Sequence, residues 1–245
     1  MSSSLVDGVL FDVDDTLVDT KAAFGSALAT TSAAYLPDLP PERRVEVLAH
    51  WRADANGYYR RYTRGAMGYR AQRMARANDL HDAFGGPALD EAAFEEWDAV
   101  FEQGFREAWV AHDDAAHVVR ELLEAGVAVG ALSNASVAYQ NLKLERVGLA
   151  DSVPMLVGVD TLGFGKPDAR VFHEACARLG TDPARTAYVG DELDIDAVAA
   201  CEAGLVGVWL DRSTTRRPTK VGDLVVTAGV VVVQGLDELR SALGL

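Results

Sequence analysis

Short runs of apolar residues recur along most of the chain, separated by segments in which apolar positions follow a helical spacing. Continuous apolar runs of this length are typical of strands that are buried on both faces. They occur at residues 5–11, 126–132, 155–159, 186–189, 206–210 and 230–233. Predicted helices lie at residues 115–124, 137–147, 169–179, 195–203 and 236–243. This alternation predicts an α/β fold with a doubly wound, Rossmann-like parallel sheet.

The long segment between the first two predicted strands has no strand pattern. Ala, Arg, Glu and aromatic residues dominate from Lys21 to Trp109, with breaks at 37–41 and 85–87. This composition and these breaks predict several helices. We therefore expect two domains: an α/β core of residues 1–18 and 112–245, and an inserted all-α helical cap of residues 19–111.

Charge and cysteine content narrow the possible partners and compartments. The 245 residues carry 23 basic and 37 acidic side chains, a net charge of −14. Such an acidic chain is a poor ligand for nucleic acid or for an anionic membrane surface. Cys176 and Cys201 do not form a disulfide pattern, and neither a signal peptide nor a membrane span is indicated. We expect a soluble, cytoplasmic monomer or homodimer.

Polar residues whose side chains could take part in catalysis or bind a ligand follow four of the predicted strands. In chain order they are Asp12, Asp14 and Thr16; Ser133 and Asn134; Lys166; and Asp191 with Asp194 and Asp196. Open parallel sheets bind ligands beyond the carboxyl ends of their strands. Any one of these residues could be a turn former, a helix cap or a solvated side chain. Their joint occurrence at successive strand ends instead predicts one functional site.

The residue types in this set suit phosphoryl transfer. Several carboxylates on one edge repel each other and favour a hard cation such as Mg²⁺, with Asp12 and Asp191 as ligands. Lys166, the Ser133 hydroxyl and loop N–H groups can neutralise and bind a phosphate. A carboxylate can attack phosphorus, and Asp14, two residues after Asp12, can act beside it as a general acid and base.

The four strand ends resemble the motifs of the haloacid dehalogenase-like hydrolase superfamily. The stretch FDVDDTLV from Phe11 to Val18 is similar to its first motif, Asp-x-Asp-x-Thr. Ser133-Asn134, Lys166 and the stretch from Gly190 to Asp196 resemble the second, third and fourth motifs. The helical insertion directly after the first motif resembles the cap of the first cap class.

The resemblance implies a role for each matching position. Asp12 would be the nucleophile that forms an aspartyl-phosphate, and Asp14 the acid and base, with its main-chain carbonyl on Mg²⁺. Phosphate would be bound by Thr16, Ser133, Asn134 and Lys166. Asp191 would ligate the metal. Ile195 stands where many relatives have Asn, so either Asp194 or Asp196 could be the supporting carboxylate of the fourth motif.

Within the superfamily, Asp14 favours a Mg²⁺-dependent phosphomonoesterase of a small soluble phosphorylated metabolite. Haloacid dehalogenases lack this second Asp, which disfavours that activity. A phosphomutase or phosphotransferase would share all four motifs and stays an alternative. A non-catalytic binding module is a further alternative, although no motif carboxylate is missing.

The cap has an unusual local charge. Residues 42–76 hold nine arginines and three acidic residues, with four tyrosines between them. One interpretation is an electropositive lid for an anionic substrate, with Arg60, Arg64 and Tyr62 as candidate contacts. The other is that these arginines are solvated or pair with acidic side chains.

Overall fold

A computed structural model describes residues 6–213 and 225–245 of the chain. Six strands form one parallel sheet in the order β3-β2-β1-β4-β5-β6. They are β1 (Gly8–Phe11), β2 (Ala128–Leu132), β3 (Leu156–Val157), β4 (Thr186–Gly190), β5 (Val206–Leu210) and β6 (Val231–Val233). The predicted α/β fold with a parallel, doubly wound sheet is confirmed.

The helices fall into two groups along the chain. Five lie between β1 and β2: α1 (Thr20–Tyr35), α2 (Arg44–Ala53), α3 (Tyr58–Thr63), α4 (Tyr69–Phe84) and α5 (Glu91–Glu107). Among the described residues, other helices accompany the sheet, including α6 (Ala115–Glu124), α7 (Val137–Arg146), α8 (Val159–Leu162), α9 (Ala169–Leu179), α10 (Ala199–Glu202) and α11 (Leu239–Leu243). The chain divides into two compact units, and the divisions fall between Asp19 and Thr20 and between Val110 and Ala111.

The register of the central strands brings their carboxyl ends to one level. Phe11 of β1 lies opposite Ala131 of β2 and Val189 of β4. The residues that follow these positions therefore emerge at the same edge of the sheet. β1 is buried along its whole length, which explains its uninterrupted apolar sequence.

The helical unit has an aromatic core of its own. Its rings belong to Phe24, Trp51, Phe94, Trp97, Phe101 and Phe105. Two arginines of the basic segment are packed against this core. Arg73 is buried and pairs with Glu102 at 2.6 Å, and the Arg76 guanidinium lies 4.1 Å from the Trp51 ring centroid. Part of the predicted basic surface is thus structural.

The structure differs from the predicted elements at two points. β3 is only two residues long because the chain turns into α8 at Val159, where the sequence favours a continued strand. The predicted helix 195–203 is instead a π-helix, Leu193–Val198, followed by α10. The wider turns of a π-helix allow this segment to place the Asp196 side chain against β4 and also to pack on β5.

The last predicted strand is present from Val231 to Val233. No helix within residues 6–213 and 225–245 is both long and apolar enough to cross a membrane.

Gly207 tests how closely the π-helix packs against β5. A Cβ atom at Gly207 would lie 2.0 Å from the Ala197 carbonyl oxygen. We expect Gly207→Ala to lower the free energy of unfolding by about 1–3 kcal/mol, because the backbone must move apart. Urea denaturation measures this change. Gly235→Ala is the matched control, since its nearest neighbour would be 3.5 Å away. Equal stability of the two variants would contradict the close packing.

Candidate active site

The segment after β1 is a tight turn that presents Asp12 and Asp14. The Asp12 backbone N–H still bonds to the Val189 carbonyl at 2.8 Å, so Asp12 is held as an extension of the strand. Its Oδ1 accepts the Val13 N–H at 2.8 Å. Asp15 then adopts a left-handed backbone with φ of 57°, which Asp tolerates better than most residues. The turn fixes the direction of the Asp12 carboxylate.

A buried lysine joins two carboxylates at this edge. The Lys166 Nζ lies 3.1 Å from Asp12 Oδ1 and 2.7 Å from Asp196 Oδ1. It also donates to the Tyr188 hydroxyl at 2.6 Å, and that hydroxyl donates to the Leu132 carbonyl at 2.9 Å. The Lys166 side chain is only 3% exposed. Every donor of the ammonium group therefore has an acceptor within reach.

These neighbours shift the ionisation of the buried groups. Burial alone would lower the pKa of Lys166, but the Asp12 and Asp196 carboxylates outweigh it and hold that pKa well above its usual value. Burial raises the pKa of Asp12 well above its usual range, against the opposing effect of Lys166. A second positive charge near Asp12 would therefore favour its ionised form.

Asp12, Asp191 and Asp196 form a group that fits a divalent cation. One carboxylate oxygen from each lies within 4.8 Å of the others. All the donors are oxygen atoms, which is the chemistry that Mg²⁺ prefers. The Asp191 carbonyl accepts the Trp209 indole N–H at 2.9 Å, which ties its backbone to β5. Asp194 is exposed and is not a member of this group.

Asn134 braces the backbone of Lys166. Its Oδ1 accepts the Lys166 N–H at 2.7 Å, and its Nδ2 donates to the Lys166 carbonyl at 3.1 Å. This approach requires Gly165, because a Cβ atom there would lie 2.1 Å from Asn134 Oδ1. The peptide bond between Lys166 and Pro167 is cis. In the structure, the Asn134 amide therefore binds the Lys166 backbone. The resemblance had implied instead that Asn134 contacts phosphate.

Ser133 and Asp14 are linked by a residue of α7. The Gln140 Nε2 donates to Ser133 Oγ at 2.7 Å and to Asp14 Oδ2 at 2.6 Å. The Lys143 ammonium pairs with the other Asp14 oxygen. Thr16 is fully buried, and its hydroxyl has no hydrogen-bond partner among the described residues.

Gln140, Lys143 and Tyr188 were not among the residues predicted from sequence. Gln140 and Lys143 are three positions apart on the helix that follows Ser133-Asn134, so they share one helix face. That spacing, directly after a predicted site segment, is the signal that could have identified them. Tyr188 lies within an apolar strand and gives no comparable signal.

Comparison with known proteins places the chain in a family. Residues 6–204 match the haloacid dehalogenase-like hydrolases. The chain belongs to this family, which confirms the resemblance carried by the four motifs.

Two curated relatives are phosphatases. The ribulose-1,5-bisphosphate 5-phosphatase of Halopiger xanaduensis is 33% identical over 46% of this chain and 48% of its own length. The N-acetylmuramic acid 6-phosphate phosphatase of Pseudomonas aeruginosa is 30% identical over 77% of this chain and 75% of its own length. The chain spans only about half the length of several of the curated relatives that it matches.

A solved structure supports the fold. The HAD-hydrolase YfnB from Bacillus subtilis superposes with a TM-score of 0.77 at 22% identity, covering 98% of this chain and 99% of that one. At this level of identity the similarity concerns the fold alone.

Removal of the Asn134 side chain tests its bracing of Lys166. We expect Asn134→Ala to lower the free energy of unfolding by about 1–3 kcal/mol, because it leaves a buried N–H and carbonyl unpaired. Urea denaturation gives the value. Asn141→Ala, an exposed site on α7, should change stability by about 0.5 kcal/mol or less. An equally small change in stability for Asn134→Ala would contradict the inference that Asn134 braces the Lys166 backbone.

Proposed function

We propose that this protein is a Mg²⁺-dependent phosphomonoester hydrolase that acts on a small phosphorylated metabolite through an aspartyl-phosphate on Asp12. The observation that carries the proposal is the contact between the Asp12 carboxylate and the buried Lys166 ammonium, at 3.1 Å, on the strand edge that also holds Asp14. The phosphatase activity of both curated relatives supports the same reaction class.

Asp12 is the nucleophile in this proposal. One of its oxygens is fixed by the Val13 N–H and by Lys166, and a rigid carboxylate loses little entropy when it attacks. Its attack on phosphorus forms the Asp12 O–P bond and breaks the bond from phosphorus to the substrate oxygen. Lys166 offsets the repulsion between the carboxylate and the phosphate dianion.

Asp14 supplies and removes the protons. In the first half-reaction its carboxylic acid gives a proton to the departing alcohol oxygen. In the second, its carboxylate takes a proton from the water that attacks the phosphorus of the aspartyl-phosphate. Inorganic phosphate leaves, and the Asp12 carboxylate and the protonated Asp14 are restored.

Ser133 and Thr16 complete the phosphate site. Ser133 Oγ accepts N–H groups from Gln140 at 2.7 Å and from Ala135 at 3.3 Å. Its hydrogen is therefore left to donate to a phosphate oxygen. The Thr16 hydroxyl is a second donor, since no described residue accepts its hydrogen.

Asp12 and Asp191 would hold the Mg²⁺ ion, with the Asp14 carbonyl as the third protein ligand. The bound ion supplies positive charge that neutralises the phosphate and favours the ionised form of Asp12. Asp196 supports the site through Lys166, which it contacts at 2.7 Å. The B. subtilis structure with the same fold is described as bound to magnesium.

The helical unit is proposed to select the substrate. Arg73 and Arg76 are engaged inside that unit, whereas Arg60 and Arg64 of the basic segment are exposed and Tyr62 is half-buried. Exposed arginines suit recognition of an anionic metabolite.

The net negative charge of the chain and its proposed small-molecule substrate favour a cytoplasmic enzyme. They do not favour binding to nucleic acid or to a membrane.

Replacement of the nucleophile tests the reaction class. We expect Asp12→Asn to abolish Mg²⁺-dependent phosphate release from p-nitrophenyl phosphate, because an amide cannot form the acyl phosphate. EDTA should stop the wild-type reaction, and added Mg²⁺ should restore it. Asp113→Asn, an exposed site in the same unit, is the control and should keep wild-type activity. Turnover by Asp12→Asn at a rate near that of the wild type would refute the proposed nucleophile.

The metal ligands can be tested without an activity assay. Mg²⁺ that binds the folded protein raises its melting temperature. We expect Asp191→Asn to weaken Mg²⁺ affinity, read from this shift, by about tenfold or more. Asp194→Asn should leave the affinity unchanged, because Asp194 is exposed and outside the carboxylate group. The reverse ranking would show that the wrong carboxylate of this segment is assigned to the metal.

A further inference from the structure

Both oxygens of the Asp14 carboxylate are engaged by side chains of a single helix. Gln140 donates to Oδ2 at 2.6 Å, and Lys143 pairs with Oδ1. Gln140 has no exposed surface and Lys143 is 1% exposed, although Asp14 itself is half-buried. The helix therefore commits two fully buried polar side chains to one carboxylate.

Burial of these polar side chains has a cost in free energy. A buried ammonium loses its hydration, and the penalty is several kcal/mol unless a well-placed partner offsets it. An apolar residue at position 143 would fill the same space without that penalty. The presence of a charge at this place is therefore better explained by its effect on Asp14 than by a gain in stability.

Gln140 adds a second constraint. The same Nε2 atom donates to Asp14 and to Ser133 Oγ. The direction of the Asp14 carboxylate is thereby coupled to the position of the Ser133 hydroxyl, which we have proposed as a phosphate donor. A displacement of either group changes the hydrogen bond to the other.

We propose that Gln140 and Lys143 are positioning residues that set the direction of the Asp14 carboxylate for proton transfer to the leaving group, and that Gln140 couples this direction to phosphate binding by Ser133. The proposal rests on the proposed phosphatase function. Neither residue contacts the reacting phosphorus; both act through Asp14 or Ser133.

The dependence of the rate on the leaving group separates this role from a structural one. Phenolate is a poorer leaving group than p-nitrophenolate and needs proton donation more. We expect Lys143→Met to lower kcat/KM for phenyl phosphate about tenfold more than for p-nitrophenyl phosphate. Arg146→Met, which removes an exposed charge from the same helix, should leave both values unchanged. An equal loss on both substrates would overturn the proposal.

Gln140→Met provides a second, independent variant if Lys143→Met does not fold. It should show the same dependence on the leaving group and should also weaken inhibition by inorganic phosphate, because Ser133 loses a partner. Lys143→Met should leave phosphate inhibition unchanged. Unchanged phosphate inhibition in Gln140→Met would refute the coupling to Ser133.

The Asp14→Asn background shows whether Lys143 acts through Asp14. Residues that act as one unit have non-additive effects. We expect Lys143→Met to reduce the residual p-nitrophenyl phosphate turnover of Asp14→Asn no further. The same fold-loss in both backgrounds would overturn the positioning role. An absence of Mg²⁺-dependent turnover in the wild type would instead refute the proposed function, and the positioning proposal with it.

Discussion

The interaction on which the site depends is the contact of one buried ammonium with two buried carboxylates. Lys166 lies within 3.1 Å of Asp12 and 2.7 Å of Asp196. Each of these charges would be strongly unfavourable away from water without the others. Their mutual attraction offsets part of the cost of burying a carboxylate at the end of a fully buried strand. It also places a positive charge where a phosphate dianion would approach.

The fold supplies the geometry that this contact needs. The register of β1 with β2 and β4 brings their carboxyl ends together. Two glycines make room at that edge: a Cβ atom on Gly190 would lie 2.3 Å from the Asp196 carboxyl carbon, and one on Gly165 would meet Asn134. The π-helix after β4 then returns Asp196 beneath the strand, so sheet and site are built by the same close approaches.

The sequence predicts most directly those residues whose position depends on strand ends. Asp12, Ser133 and Asp191 directly follow buried apolar runs, and in a parallel sheet such residues reach one edge. Lys166 follows β3 only after α8, and it lies at the same edge in contact with Asp12. The fourth-motif carboxylate could not be chosen from spacing, because a π-helix changes which side chains face inward.

The spacing of Gln140 and Lys143 on α7 marks them as candidates, but the burial of Lys143 and Arg73 could not be predicted from the sequence. Lysine and arginine side chains are usually solvated, and only tertiary packing shows that Lys143 and Arg73 are buried in ion pairs. Helical periodicity averages over a whole face and gives little weight to a single buried charge. Knowledge of which surface each helix covers is what was missing.

Rapid acid quench of the enzyme during turnover, followed by mass spectrometry of its peptides, tests the central claim most directly. A phosphatase that works through Asp12 should carry one phosphoryl group on the peptide that contains Asp12. The adduct should accumulate in Asp14→Asn, where water activation is lost, and should be absent from Asp12→Asn. Mg²⁺-dependent turnover with the phosphoryl group on another residue, or with no adduct in Asp14→Asn, would contradict the account.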